Sequence, residues 1–143
     1  MKLFADSNIL LDVLENRDQH YEYSSQIWTL TESGKVQVFI SAISFNNIFY
    51  LVRKHAGRER AQQALQLLNT VFTMLPLSQD IVNKAITSKL PDFENAIQFF
   101  SALSVAADCI VSRNVKDFPQ GSIPIFTPEN FLAFLCHEKQ LEL

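Results

Sequence analysis

Lys2-Leu3-Phe4-Ala5-Asp6-Ser7-Asn8-Ile9-Leu10-Leu11-Asp12-Val13-Leu14 opens the chain with a short apolar run that ends in a carboxylate and passes at once into a second apolar series, Ile9, Leu10, Val13 and Leu14. The first run reads as a strand and the second, by its three- and four-residue spacing, as an amphipathic helix. Ligands of an open α/β sheet bind beyond the carboxyl ends of its strands, so Asp6 would stand at the rim of such a crevice. An acid there is a metal ligand, a nucleophile or the cap of the helix behind it. Asp12 falls on the outer side of the helix and is expected in solvent.

Working outward, the same alternation continues. Tyr23, Ile27, Trp28 and Leu30 give a helix stopped by Gly34, and residues 36–40 alternate as a strand. Ser41 or Ser44 can cap a helix holding Phe45, Ile48, Phe49, Leu51 and Val52, which ends in the cationic Arg53-Lys54-His55. Residues 59–69 form a helix on Ala61, Ala64, Leu65 and Leu68, and a strand near 71–75 is stopped by Pro76. The spacing predicts a short helix over 78–88 with Ile81, Val82, Ala85 and Ile86 inward. Pro91 and Asp92 start another to about Ala106, with Phe93, Ala96, Ile97, Phe100 and Leu103 on one side. A brief strand at 108–112, a loop at 113–119, an edge strand at 123–126 and a last helix from Thr127-Pro128-Glu129 complete the reading. Strands alternating with helices imply a mostly parallel sheet covered on both faces, a three-layer α/β/α sandwich.

With 143 residues, the chain is expected to form one domain with a core of its own. A composition of 48% hydrophobic and 19% charged residues with only three glycines describes a helix-rich globule rather than a disordered chain. The formal charge of -3 argues against a surface that attracts nucleic acid everywhere, although an acidic site holding divalent cations reverses its own local field. Cys109 and Cys136 lack the spacing of a zinc site, and a reduced setting is the simpler expectation. The first residues show no basic start followed by an apolar signal core, and no stretch reaches the ~20 apolar residues of a membrane span, so a cytoplasmic location without membrane contact is expected.

If the strands are parallel, Asp6 with Asn8, the 41–47 region and the 113–117 loop share one crevice, and the helix beginning at Asp92 can point back at it. Hard oxygen donors from several segments suit Mg²⁺ or Mn²⁺, which can activate water and neutralise a phosphodiester during in-line attack. Ordinary structural roles compete for the same residues. Asp92 before Glu94 and Asn95 is a good capping sequence, and Asp117 is also a turn former. His20, His55 and His137 lie near helix ends without metal spacing, and no G-x-S-x-G elbow, Walker loop or G-x-G-x-x-G is present. A phosphatase using Asp6 as nucleophile would want D-x-D, where this chain has Asp6-Ser7-Asn8.

In this order of motifs the sequence resembles the PIN-domain ribonucleases, and among them the VapC-like toxins of bacterial toxin–antitoxin pairs. The residues that carry the likeness are Leu3-Phe4-Ala5-Asp6-Ser7-Asn8-Ile9-Leu10-Leu11-Asp12 and Ser41-Ala42-Ile43-Ser44-Phe45-Asn46-Asn47-Ile48-Phe49-Tyr50. Later stretches add Asp92-Phe93-Glu94-Asn95-Ala96-Ile97-Gln98, then Ala106-Ala107-Asp108-Cys109-Ile110-Val111-Ser112-Arg113-Asn114, then Lys116-Asp117-Phe118. The resemblance implies a PIN-like α/β/α sandwich with a central parallel sheet, an acidic cluster binding Mg²⁺ or Mn²⁺, and endonucleolytic cleavage of single-stranded or structured RNA. Carried onto this chain, the first family acid is Asp6, accompanied by Asn8. The second, usually Glu, falls on Asn47; the third, usually Asp, on Asn95; the fourth on Asn114 or Asp117.

Each acid replaced by an amide removes a full negative charge from a divalent site. Asp92 and Glu94 flank Asn95 and can supply charge, although Glu94 is expected to point elsewhere. The resemblance therefore assigns metal binding to Asp6, Asp92 and Asp117 and catalysis to these with Asn95. It leaves support to Asn8, Asn47 and Asn114, and phosphate contacts to Arg53, Lys54 and Arg113. The alternative it leaves is a PIN-like module weakened in catalysis that binds RNA or protein. As partners it implies the RNA substrate, a cognate antitoxin and a second copy in a homodimer. Trp28, Phe45, Phe49 and Tyr50 are candidate aromatic anchors for the antitoxin, with core packing as the ordinary use of each.

Overall fold

The central strands of the sheet divide their side chains between two apolar cores, and that division sets the layers. The computed structural model describes residues 1–142. In chain order it runs β1 (Lys2–Ala5), α1 (Ser7–Leu14), α2 (Tyr21–Glu32), β2 (Gln37–Ser41), α3 (Ala42–Ala56), α4 (Arg58–Val71), β3 (Thr73–Leu75), α5 (Gln79–Thr87), α6 (Phe93–Ser104), β4 (Cys109–Val111), a 3-10 turn (Val115–Asp117), β5 (Ile125–Phe126) and α7 (Pro128–Glu142). Five parallel strands lie in the order β3-β2-β1-β4-β5.

Leu3, Ala5, Val38, Ile40, Cys109 and Val111 face one core, shared with α1, α2, α3, α4 and Phe131 of α7. Phe4, Phe39 and Ile110, the residues between them, face the other with Phe99 and Ala102 of α6. The two-residue period of the strands thus produces the α/β/α sandwich expected from the sequence. Both faces being covered, β1 after its exposed Lys2 and the whole of β4 are apolar. Among the described residues no helix is long and apolar enough to cross a membrane.

The differences from the sequence reading have local causes. β3 begins at Thr73 because α4 carries on through Val71. α5 is short and buries only Ile81 and Ala85, one turn apart, so Ile86 points outward and is 65% exposed. On α6 the buried stripe is Ala96, Ile97, Phe99 and Ala102, which leaves Phe93 and Leu103 largely in solvent. That helix ends at Ser104, and Ala106 takes φ 51° to turn into β4.

Asp12 is fully buried instead of solvated. Its Oδ2 accepts the Ser24 hydroxyl and Arg113 Nε, each at 3.0 Å, and Arg17 Nη1 lies 3.8 Å from Oδ1. The acid joins α1 to α2 and to the segment after β4, which fixes the base of the loop that reaches the cleft. Trp28 is core as well, packed edge-on against Phe72 at 4.8 Å between centroids.

At the start of α5, the Ser78 hydroxyl accepts the Ile81 amide at 3.2 Å. Ser78→Ala is expected to lower stability by about 1 kcal/mol, the usual loss of an N-cap. Urea unfolding measures it, and an unchanged midpoint would refute the cap's contribution.

Candidate active site

β1 leads outward through β2 to β3 on one side, whereas β4 and β5 extend the sheet on the other. The order therefore reverses between β1 and β4. At such a reversal the connections leave in opposite directions and open a crevice beyond the strand ends. Asp6 and Ser112, the residues directly after β1 and β4, meet there: the Asp6 amide donates to the Val111 carbonyl at 3.0 Å, and the Ser112 hydroxyl donates to Asp6 Oδ2 at 2.7 Å.

A cleft of about 770 Å³ opens at this point. It brings together Asp6, Asn8, Asn47, Asp92, Asn95, Asn114 and Asp117, which the sequence singled out, and adds Glu94 and Ser7. Of the three cations expected at phosphate, only Arg53 lines it. Arg113 is turned away into its ion pair with Asp12, and Lys54 stands outside the lining.

Asp6 is buried and sits at the N-cap position of α1 without a side-chain cap bond. Burial pushes its carboxyl pKa up, opposed by the Ser112 hydroxyl, the Gln98 amide and the Asn8 and Ser7 backbone amides. Gln98 is itself fully buried. Its Oε1 accepts the Ser7 amide at 3.3 Å, and its Nε2 faces the Asp6 carboxylate without completing a well-aligned hydrogen bond.

Glu94 does not point elsewhere. The Ser7 hydroxyl lies 3.4 Å from Oε1, within a buried contact chain in which Ser7 and Ser44 hydroxyls are 2.7 Å apart. Burial raises its pKa first; the negative charges of Asp6 and Asp92 add to this, while hydrogen bonds from Asn47 and Ser7 oppose it. As the second residue of α6, Glu94 reaches past the helix end toward Ser7 at the N-terminus of α1.

The remaining members are held by local structure. Asp92 caps α6, accepting the Asn95 amide on Oδ1 at 2.9 Å, so the capping role and the place in the cleft coexist. Asn8 ties α1 to the post-β4 loop, accepting the Arg113 amide at 3.4 Å and reaching Ser112 Oγ at 3.5 Å. The Asn114 amide donates to the same Ser112 Oγ at 2.9 Å, and Asp117 closes the 3-10 turn at the exposed lip.

Among the described residues no three His, Cys, Asp or Glu side chains form a ready-made ion cluster, so the separate Asp6, Asp92 and Asp117 do not converge as tightly as the sequence reading required. The Asp6 charge nevertheless adds to the cost of ionising Glu94, in a cleft also lined by the amide side chains of Asn8, Asn47 and Asn114. This donor set fits Mg²⁺ or Mn²⁺, which keeps several waters and is held by one or two carboxylates.

Glu94, Ser7, Ser44, Ser112 and Gln98 were not marked as site residues by the sequence. Ser112 directly after an apolar strand, and Gln98 between Ile97 and Phe99 on a buried helix face, were the available signals.

Comparison with known proteins adds an independent line. The family model for the PIN domain matches residues 2–116. Ribonuclease VapC1 of Aquifex aeolicus (strain VF5) is 24% identical over 135 residues, covering 91% of this chain and 92% of that protein. Among solved structures, a toxin-antitoxin complex from Klebsiella pneumoniae aligns with TM-score 0.66 at 26% identity, over 90% of this chain and 98% of that one. DNA-bound VapBC from Salmonella typhimurium aligns with TM-score 0.71 at 18% identity over the same shares of 90% and 98%, a likeness of fold.

Proposed function

Since the chain belongs to the PIN-domain family, we propose that it is a divalent-cation-dependent endoribonuclease, the toxin of a toxin–antitoxin pair, with residues 1–143 forming one PIN-like unit that acts in the cytoplasm. The observation that carries this reading is the meeting of Asp6 and Glu94 at the reversal point of the sheet, inside a cleft whose rim adds Asp92 and Asp117. Uncompensated carboxylates drawn together under partial burial are costly unless a cation is to be held there.

In this reading Asp6 and Glu94 would hold Mg²⁺ or Mn²⁺, with Asn8, Asn47 and Asn114 offering amide oxygens and Asp92, Asn95 and Asp117 completing the cleft wall. When bound, such a cation supplies activation of a water and neutralisation of phosphate oxygens. The chain's own residues do the positioning. Ser112 fixes one Asp6 oxygen at the cleft. Asn47 and the Ser7 hydroxyl orient Glu94 so that its oxygens face Asp6. Arg53, on the opposite wall, offers a cation to the phosphodiester backbone.

The likeness to toxin–antitoxin complexes supports a protein antitoxin as partner, and the same reading includes a homodimer. Phe45 and Phe49 pack against the core and Trp28 is buried, so of the four aromatic anchor candidates Tyr50 alone is freely presented.

The test is cleavage of RNA by the purified chain with Mg²⁺ or Mn²⁺ and with excess chelator. Cleavage that stops on chelation is expected, as is a loss of at least about tenfold in Glu94→Gln, since ligand-shell changes typically weaken such sites 10–100-fold. Turnover that persists in chelator would remove the metal from the proposal, and a chain that never cuts RNA would leave only a binding module.

A further inference from the structure

The acids of the cleft account for one wall; the other is the outer stripe of α3, and its chemistry is different. Asn46, Tyr50 and Arg53 follow at i, i+4 and i+7, all exposed and all lining the cleft. That spacing puts them on one face of the helix over about 10 Å. Tyr50 is 64% exposed, the most exposed aromatic ring among the described residues, although it sits on a helix whose other aromatics, Phe45 and Phe49, pack inward. Arg53 is the one cation among the cleft-lining residues, and among the described residues it forms no ion pair.

In the single-stranded RNA that the family resemblance implies as substrate, we propose that Tyr50 is the platform on which an unpaired base stacks beside the cleaved phosphodiester, with Arg53 holding an adjoining phosphate. This rests on the nuclease reading above. An open aromatic face and a free guanidinium one turn apart match the two repeating groups of a single strand, its bases and its phosphates. A base already stacked within a duplex has no face to offer, whereas a splayed base does. The acidic wall repels phosphate until a cation is present, so a polyanion entering the cleft finds attraction on the α3 side. Asn46, one turn before Tyr50, places an amide where a base edge would project.

The experiment measures binding of a short single-stranded RNA carrying a fluorescent adenine analogue, and of the same RNA annealed to its complement, in chelator so that nothing is cut. For the single strand, Tyr50→Ala is expected to weaken binding about tenfold, within the range of alanine substitutions at stacking platforms, and to lose the quenching of the analogue. Tyr50→Phe should bind within about twofold of the unaltered chain, because the ring and not the hydroxyl stacks. Duplex binding should be weak and indifferent to Tyr50→Ala. Arg53→Ala should flatten the salt dependence of binding by about 0.7 in logarithmic slope, one phosphate contact.

Equal binding of the single strand by Tyr50→Ala and the unaltered chain would overturn the proposal. So would a Phe variant as weak as Ala, since the hydroxyl and not the ring would then make the contact; the first result would direct Tyr50 to a protein partner instead. An unaltered chain that cuts RNA with cation while Tyr50→Ala cuts and binds equally well defeats this inference alone; a chain that neither binds nor cuts RNA defeats the nuclease reading beneath it.

Discussion

Asp6→Asn is expected to abolish RNA cleavage and, in metal-free buffer near neutral pH, to raise the melting temperature. The loss of activity follows from removing a carboxylate that would hold the cation; a fall of more than about a hundredfold is expected, since even outer-shell changes reach 10–100-fold. The gain in stability follows from the sign of the pKa shift. Burial holds the Asp6 carboxyl above its ordinary 3.8, so the folded state binds the proton more tightly than the unfolded state does. The stability from this group is then fully present below the ordinary value and is lost as pH rises through the folded one. At neutral pH the buried carboxylate is a liability, and an amide of the same shape relieves it and still accepts the Ser112 hydroxyl. Relief on the order of 1 kcal/mol would raise Tm by about 2–4 °C. Added Mn²⁺ should reverse the ranking, because at about 100 times its Kd a ligand stabilises the unaltered chain by about 2.7 kcal/mol and the variant by far less. Thermal scans with and without Mn²⁺ beside a cleavage assay read all three effects. Undiminished cleavage by Asp6→Asn, or an equal response of both proteins to the ion, would end the metal-site proposal.

Asp12→Ala is expected to produce the larger loss of stability. Its carboxylate is fully buried between Ser24 and Arg113, with Arg17 nearby. Removing it strands the partly covered Arg113 guanidinium and one buried hydroxyl, while Arg17 keeps its Glu15 partner, and breaking a buried pair from one side typically costs about 3–5 kcal/mol. For a chain of this size that is a fall in Tm of about 6–20 °C. Cleavage should weaken as well, because Arg113 is the residue between Ser112, which holds Asp6, and Asn114 in the cleft wall. Joint replacement Asp12→Leu with Arg113→Met should restore part of the stability, since the two losses share one interaction. A Tm within about 2 °C of the unaltered chain, under 1 kcal/mol, would show that solvent replaces the carboxylate and that the loop is anchored elsewhere.

The order of strands and helices was legible because apolar runs of two different periods were separated by plain stop signals such as Gly34 and Pro76. That Asp6 and Asp117 line one cleft followed from parallel strands, whereas Asp92 entered the reading as the start of a helix that can point back at the same rim. Glu94 was misread because helix phase predicts where a side chain sits around an axis, not how far a residue in the first turn reaches beyond the helix end. Asp12 was misread for a different reason. A lone acid between Leu11 and Val13 has the pattern of a solvent face, and the partners that bury it, Ser24 and Arg113, are 12 and 101 residues away. Local spacing carries no trace of a pairing that only tertiary structure creates. Ile86 and Phe93 show the converse, apolar residues whose helices are too short or too peripheral to cover them.

The strand β1 occupies the middle of the sheet, yet its neighbour on the cleft side pairs Leu3 with Cys109, and the hydroxyl that fixes Asp6 arrives 106 residues after it. During translation the amino-terminal strand therefore emerges with one flank bare and its carboxylate unassisted. A nascent or prematurely ended polypeptide lacking Ser112 holds half a sheet and no cleft. Contacts this distant also assemble slowly, after the local helices have formed. The cleft is thus withheld until the segment that carries Ser112 has been made.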